Sequence, residues 1–270
     1  METMRNIKLL IAYDGTDFCG WQNQHSAMHE SAADKAVKSK IIHKNRTVQG
    51  VIEDVLLKIH KEHIPLIGSG RTDTGVHAAG QIANFHTNMQ SIPAERFAPA
   101  LNSLLPRDVR ILASNEVCAD FHSRYDASMR TYRYFFIPER LMFPHESSYN
   151  IYLRRWPDLK LLNAYCRFIM GERDCTVFAS AGDTSLSFNR YISNAVFFIE
   201  KDRLIFEICE NAFLRKMVRC IAGTFLRYEE LKTPPDLLQE ILAKKDRSLV
   251  GPILDPQGLF LWKVDLAREC

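Results

Sequence analysis

The chain has 270 residues, 46% of them hydrophobic, with 35 Lys and Arg against 32 Asp and Glu and a formal net charge of +3. That length fills one large core or two modest ones, and the composition excludes a disordered or low-complexity chain. The charge is too small to argue nucleic-acid binding by its total, so any basic footprint has to come from distribution.

Residues 7–13 are a short apolar run that predicts a strand, followed by the turn sequence Tyr13-Asp14-Gly15-Thr16-Asp17-Phe18 leading into Gly20-Trp21-Gln22. Residues 25–46 are polar and rich in Ala, Ser, Lys and His, which predicts a solvated loop or short helix. Val48, Val51, Ile52, Val55, Leu56 and Ile59 then recur at helical spacing. After the glycine-rich loop GSGRTDTGVH (68–77), Ile82, Asn84 and His86 alternate with Ala83 and Phe85 as a strand. Pro93 precedes a helix expected over 94–104, Pro106 stops it, and a strand begins at 109–112. The second half predicts a strand at 131–137, a helix near 157–170, strands near 191–199 and 203–209, and a helix from 213. In that last helix Phe213, Leu214, Met217, Val218, Ile221 and Phe225 form the apolar stripe, and Arg215, Lys216 and Arg219 lie away from it. No repeat is visible, yet the halves 1–115 and 116–270 read as similar α+β units.

The 7 cysteines contain no CxxC pair, so reduced thiols are expected rather than a disulfide framework or a cysteine zinc site. His25 and His29 have a spacing that suits a metal only on a helix with a third ligand, so exposed polar histidines are expected and no metal is predicted. No basic-then-apolar leader and no apolar run of membrane-spanning length occurs, which predicts a cytoplasmic chain with no membrane partner.

The loop 68–77 holds the densest chemistry. Glycines at 68, 70 and 75 permit positive φ and close backbone approach, and Arg71 stands two residues from Asp73 as a cation able to favour its ionised form. An ionised, positioned aspartate is a nucleophile or a base. The plainer reading is a turn whose Asp caps backbone amides. The loop has neither P-loop nor dinucleotide-fold spacing, so no nucleotide cofactor is predicted. Farther along, Arg124, Arg130 and Arg133 alternate with Tyr125, Tyr132 and Tyr134, a mixture suited both to RNA contact and to a solvated strand edge.

The phrase GSGRTDTGVHA (68–78) resembles the signature of the tRNA pseudouridine synthase A family. The opening turn, Arg46-Thr47-Val48-Gln49-Gly50, ALNSLLPRDVRI (100–111), FHSRYDASMRTYRY (121–134), NAFLRKMVRCIAGTFL (211–226) and PQGLFL (256–261) are similar to family motifs in the same order. The resemblance spans nearly the whole chain. Two departures stand out: Asp174-Cys175 sits where relatives commonly have His-Asp-Phe, and 180–192 match poorly.

The resemblance implies an α+β fold of two similar halves sharing one continuous antiparallel sheet, with flanking helices and a central cleft. It implies an isomerase that converts uridine to pseudouridine in the anticodon stem-loop of tRNA, at positions 38–40, acting as a homodimer without a cofactor. Asp73 would be the catalytic residue, attacking either C1′ of the ribose or C6 of the uracil. Tyr132 would stack on the target base, although Tyr132, Tyr134 and Phe136 also fit one packed strand face; function is expected at Tyr132 and packing at Phe136. Arg219 would pair with Asp73, and Arg71 would help extrude the base, with Thr72 and Arg130 among the substrate-binding residues. The same chemistry at another RNA position is an alternative, as is an inactive RNA-binding module, against which Asp73, Tyr132 and Arg219 together count. Residues 25–46 read as an insertion relative to the family, with Lys35, Lys38, Lys40 and Lys44 as a lesser candidate for an added RNA contact.

Overall fold

A computed structural model describes residues 4–22, 46–180, 182–183 and 185–268. The polar stretch 25–46, with His25, His29 and its four lysines, lies outside the described residues except for Arg46. The described residues form a mixed α/β fold with a large, mostly antiparallel sheet. They divide into two compact units, Met1–Ala127 with Leu266–Cys270, and Ser128–Asp265, so the division expected near 115 is drawn at 127 and the last residues return to the first unit.

In the first unit β1 (Arg5–Tyr13) lies between β3 (His77–Thr87) and β4 (Val109–Val117), and the two-residue β2 (Ile67–Gly68) pairs with β3. Period-two patterning places Ile7, Leu9 and Ile11 fully inside, against the apolar stripe of α1 (Val48–His60) and Phe97 and Leu101 of α2 (Phe97–Asn102). Each such side chain contributes roughly 1.5–3 kcal/mol by leaving water. Thr47 starts α1 by accepting the Gly50 amide at 3.2 Å, and Lys61 ends it in a left-handed conformation. Just before that cap, Arg46 grips Asp108 with both terminal nitrogens at 2.7 and 3.0 Å and lies 4.0 Å over the Phe18 ring.

In the second unit the strands run in the order β10 (Leu259–Leu266), β5 (Ala127–Pro138), β9 (Arg203–Glu210), β8 (Asn189–Glu200), β7 (Gly171–Asp174). The short β6 (Ile151–Leu153) runs parallel to the end of β5. Phe197 and Phe206 stack at 4.5 Å beneath Phe225 of α4 (Met217–Glu230), and Tyr165 of α3 (Leu159–Ile169) completes the cluster.

Helix α4 begins at Met217 rather than at 213. The preceding residues are bound elsewhere: the Arg215 amide donates to Asp183 at 2.8 Å, its carbonyl accepts from Ser180, and Lys216 is left-handed with φ 60°. Arg215 and Lys216 are therefore not on a helical face. The thiol expectation is also corrected in part. Cys19, Cys166, Cys175, Cys209 and Cys220 are free, but Cys118 is disulfide-bonded. Among the described residues, no helix is long and apolar enough to cross a membrane.

At the end of α4 a buried carboxylate ties the helix to residues 155–158. Glu229, 1% exposed, accepts from both terminal nitrogens of Arg155, from the Asp158 amide at 3.0 Å and from Lys232 at 2.7 Å. Burial pushes its carboxyl up, but these donors outweigh burial and hold it at about 2 instead of 4.5. The folded value lies below the unfolded one, so the stabilisation is complete above about pH 4.5 and is lost as the pH falls toward 2. Glu229→Gln is expected to lower stability at pH 7 by roughly 3 kcal/mol. Urea midpoints of the two proteins should converge progressively below pH 4.5; a gap independent of pH would contradict the assignment.

Candidate active site

The loop carrying Asp73 is the connection between β2 and β3, whose pairing sets Gly68 opposite Ala83. The Ser69 amide donates to the Ile82 carbonyl at 2.8 Å. Its hydroxyl donates to Gln81 at 2.6 Å, while the Gln81 amide donates to the Gly70 carbonyl at 2.9 Å. Gln81 is fully buried, so one side chain pins both residues that precede Arg71.

On the other side of the loop, Thr72 shares a 2.8 Å hydrogen bond with the Tyr13 hydroxyl, and its carbonyl accepts the Trp21 amide at 3.2 Å. Burial pushes the Tyr13 phenol up, so it stays neutral in this brace. Beyond Asp73 a tight turn closes: the Val76 amide donates to the Asp73 carbonyl at 3.1 Å, with Gly75 at φ 77°. The next residue, His77, is fully buried and accepts the Gly15 amide on Nδ1 at 3.0 Å.

Glycine serves here for proximity more than for freedom. A Cβ on Gly20 would meet the Thr72 carbonyl oxygen at 2.5 Å, and one on Gly68 would meet the Trp21 indole at 2.6 Å. The loop is thus held along its backbone. Arg71 is exposed and, among the described residues, makes no ion pair with Asp73; Thr72, at 6% exposure, belongs to the loop's support.

In the second unit the β5–β9 register sets Arg130 opposite Glu210, Tyr132 opposite Ile208 and Tyr134 opposite Phe206. Alternation puts Arg130, Tyr132, Tyr134 and Phe136 on one face. Tyr134 and Phe136 are fully buried, and the Tyr134 hydroxyl donates to the Asp255 carbonyl. Tyr132, 8% exposed, receives Phe213 edge-on at 4.9 Å. Arg130 donates to the Asn211 carbonyl at 2.6 Å. Glu210 is fully buried with Arg190 3.8 Å away; burial, only partly relieved by that guanidinium, pushes its carboxyl up to about 9 and keeps it neutral at pH 7.

Arg219 projects from the first turn of α4, its Nε donating to the Leu254 carbonyl at 2.6 Å. That anchor depends on close packing: a Cβ on Gly223 would meet the Pro252 carbonyl oxygen at 1.9 Å. Of the Arg and Tyr alternation, Arg133 is engaged with Glu207 at 2.8 Å and lies 4.4 Å over Trp262. Tyr125 is 77% exposed and stacks on His122 at 4.3 Å. At the family departure, Lys245 at 2.5 Å and the Thr176 hydroxyl and amide hold the Asp174 carboxyl down at about 2. Sequence reasoning did not single out Gln81 or Tyr13 as supports. A Gln inside an apolar strand was the available signal for the first, whereas nothing local distinguishes Tyr13. Among the described residues no group of three or more His, Cys, Asp or Glu is arranged to hold a metal ion.

Comparison with known proteins is consistent along the chain. A family model described as tRNA pseudouridine synthase matches residues 9–126 and 166–266. A tRNA pseudouridine synthase A of Treponema denticola is 48% identical over 268 residues, covering 99% of this chain and 95% of the relative. Similarly named proteins of Treponema pallidum subsp. pallidum and Caldicellulosiruptor saccharolyticus are 46% and 40% identical, covering 93% and 96% of this chain and 85% and 98% of their own lengths.

The glycine contacts generate a test of the brace. Gly68→Ala should push the Trp21 indole aside, changing tryptophan emission and lowering the melting temperature by several degrees, as a loss of about 1–3 kcal/mol does when a core is overpacked. An unchanged emission spectrum and melting curve would show that the indole does not pack on this loop.

Proposed function

The chain belongs to the tRNA pseudouridine synthase family, and from that premise we propose that it isomerises uridine to pseudouridine in the anticodon stem-loop of tRNA, at positions 38–40. The observation that carries this reading is the braced turn presenting Asp73 within GSGRTDTGVH, in a chain matched to the family over both units. The reaction breaks the C1′–N1 bond of uridine, turns the uracil and forms C1′–C5, with N1 gaining a proton and C5 losing one. No electrons are exchanged with another molecule, and a nucleophile, a base wall and a cation are sufficient participants.

In this reading Asp73 is the nucleophile, at C1′ or at C6. A fixed backbone suits that role, because a carboxylate held in place loses little freedom when it meets its target. Tyr132 is the wall for the flipped base, its own ring held by Phe213; base stacking on an aromatic contributes about 1–3 kcal/mol toward the cost of extrusion. Arg219, anchored at Leu254, is the persistent cation for Asp73, as the resemblance implies. Arg71, exposed at the loop surface, moves by its side chain alone and takes the place of the extruded base. Thr72 and Arg130 act by positioning, given their internal hydrogen bonds. The two-halved pseudouridine synthase fold with a central cleft, the homodimer, the cytoplasmic location and the absence of a cofactor belong to the same reading and rest on the family resemblance.

Asp73→Asn preserves shape and removes the charge, so pseudouridine formation on unmodified tRNA should fall to background while tRNA binding persists. Multiple turnover by that variant would remove Asp73 from the nucleophile's role. Arg71→Ala should lower the single-turnover rate on a uridine paired in a stem more than on one already unpaired, whose extrusion costs less. Equal losses on the two substrates would refute the extrusion role.

A further inference from the structure

β6 runs parallel to the end of β5 with Pro138 opposite Leu153, so the chain leaves both strands side by side. The departing segments wall one groove of about 580 Å³. Its cations come from both: Arg140 after β5, and Arg154 and Arg155 after β6, with Trp156 beside them at 40% exposure. Arg155 is aimed by its paired contact with Glu229. Arg140 and Arg154 are exposed and, among the described residues, make no hydrogen bond or ion pair.

The neighbouring carboxylates are already engaged. Glu146 is bound by Arg203 at 2.6 Å, Asp158 caps α3 by accepting the Lys160 and Leu161 amides, and Glu229 is held by Arg155 and Lys232. Glu139 is the one carboxylate in the lining. The groove therefore presents unsatisfied guanidinium forks and an indole face. Guanidinium forks match phosphate oxygens two at a time, and an indole stacks on bases and sugars.

We propose that this groove binds the phosphodiester backbone of the tRNA outside its anticodon stem-loop, an inference that rests on the tRNA reading above. Position along β5 supports the choice of a remote segment. Pro138 is six residues from Tyr132 on one strand, about 20 Å at strand rise, too far to touch the nucleotide stacked there. A folded RNA held at Tyr132 is long enough to be gripped a second time at that distance. An acidic protein segment offers carboxylates to the same forks but leaves the indole without a planar partner, so RNA is the occupant favoured.

The test compares the wild-type chain with Arg140→Ala/Arg154→Ala, two exposed changes that break no internal contact, for binding of full-length unmodified tRNA and of an isolated anticodon stem-loop hairpin. The variant should bind tRNA about 10-fold more weakly, and its log K against log salt slope should shrink by about 1.5 for two lost phosphate contacts. Affinity for the hairpin and kcat at saturating tRNA should not change. Unchanged tRNA affinity would overturn the proposal, as would equal weakening on tRNA and hairpin. Sedimentation showing loss of a homodimer with intact tRNA affinity would also overturn it and assign the groove to a second copy of the chain. A wild-type chain that bound tRNA but formed no pseudouridine would sink the functional reading alone, because the affinity comparison is read independently of turnover.

Discussion

Close backbone approach around residues 68–77 is the constraint on which the rest of the site depends. A carboxylate on a loop is positioned only by a held backbone, yet this loop spends three residues on glycine and leaves Arg71 in solvent. The hold comes from neighbours instead. Tyr13 and Trp21 secure Thr72, Gln81 secures Ser69 and Gly70, and the Gly15 amide fixes the buried His77. The neighbours also approach closely where Gly15, Gly20 and Gly68 carry no side chain, since a Cβ there would fall 2.0–2.6 Å from Val76, Thr72 or Trp21. Asp73 is thereby positioned through the backbone of its loop.

The second unit solves a related problem with charge. Arg133, Arg155 and Arg203 are each paired with a carboxylate, and Glu229, almost fully buried, joins the end of α4 to residues 155–158 through Arg155 and the Asp158 amide, with Lys232 beside it. Breaking a buried pair of this kind is strongly destabilising because it strands the remaining charge. The Arg219 guanidinium also donates to the backbone carbonyl of Leu254, in the segment packed on Gly223. With many arginines engaged internally, the cations left to solvent are informative: the small net charge of the chain conceals Arg140 and Arg154 in one groove, beside the Glu229-paired Arg155.

Local pattern was sufficient for most of the secondary structure. Period-two alternation at Ile7, Leu9 and Ile11, the 3.6-residue stripe of α1 and the prolines bracketing 94–104 all describe interactions within a few residues, and the observed strands and helices fall there. The start of α4 shows where that reasoning stops. Phe213 and Leu214 continue the helical stripe in sequence, but Asp183 captures the Arg215 amide from another part of the chain and Lys216 turns left-handed. Periodicity records which residues are apolar, not which distant acceptor competes for a backbone amide.

By itself the sequence determined the density of chemistry at 68–77, the resemblance over nearly the whole chain and the candidate residues Asp73, Tyr132, Arg219 and Arg71, because these are matters of residue type and order. Only the tertiary structure decided that the glycine-rich loop is held by Gln81, Tyr13 and Trp21, that Thr72 faces inward, that Arg133 is engaged with Glu207 and that Arg140 and Arg154 line one groove. The physical reason is common to all four. Glycine signals both freedom and close approach, and arginine signals both an internal pair and an outward contact. Which applies is set by atoms that lie tens of residues away along the chain and a few ångströms away in space.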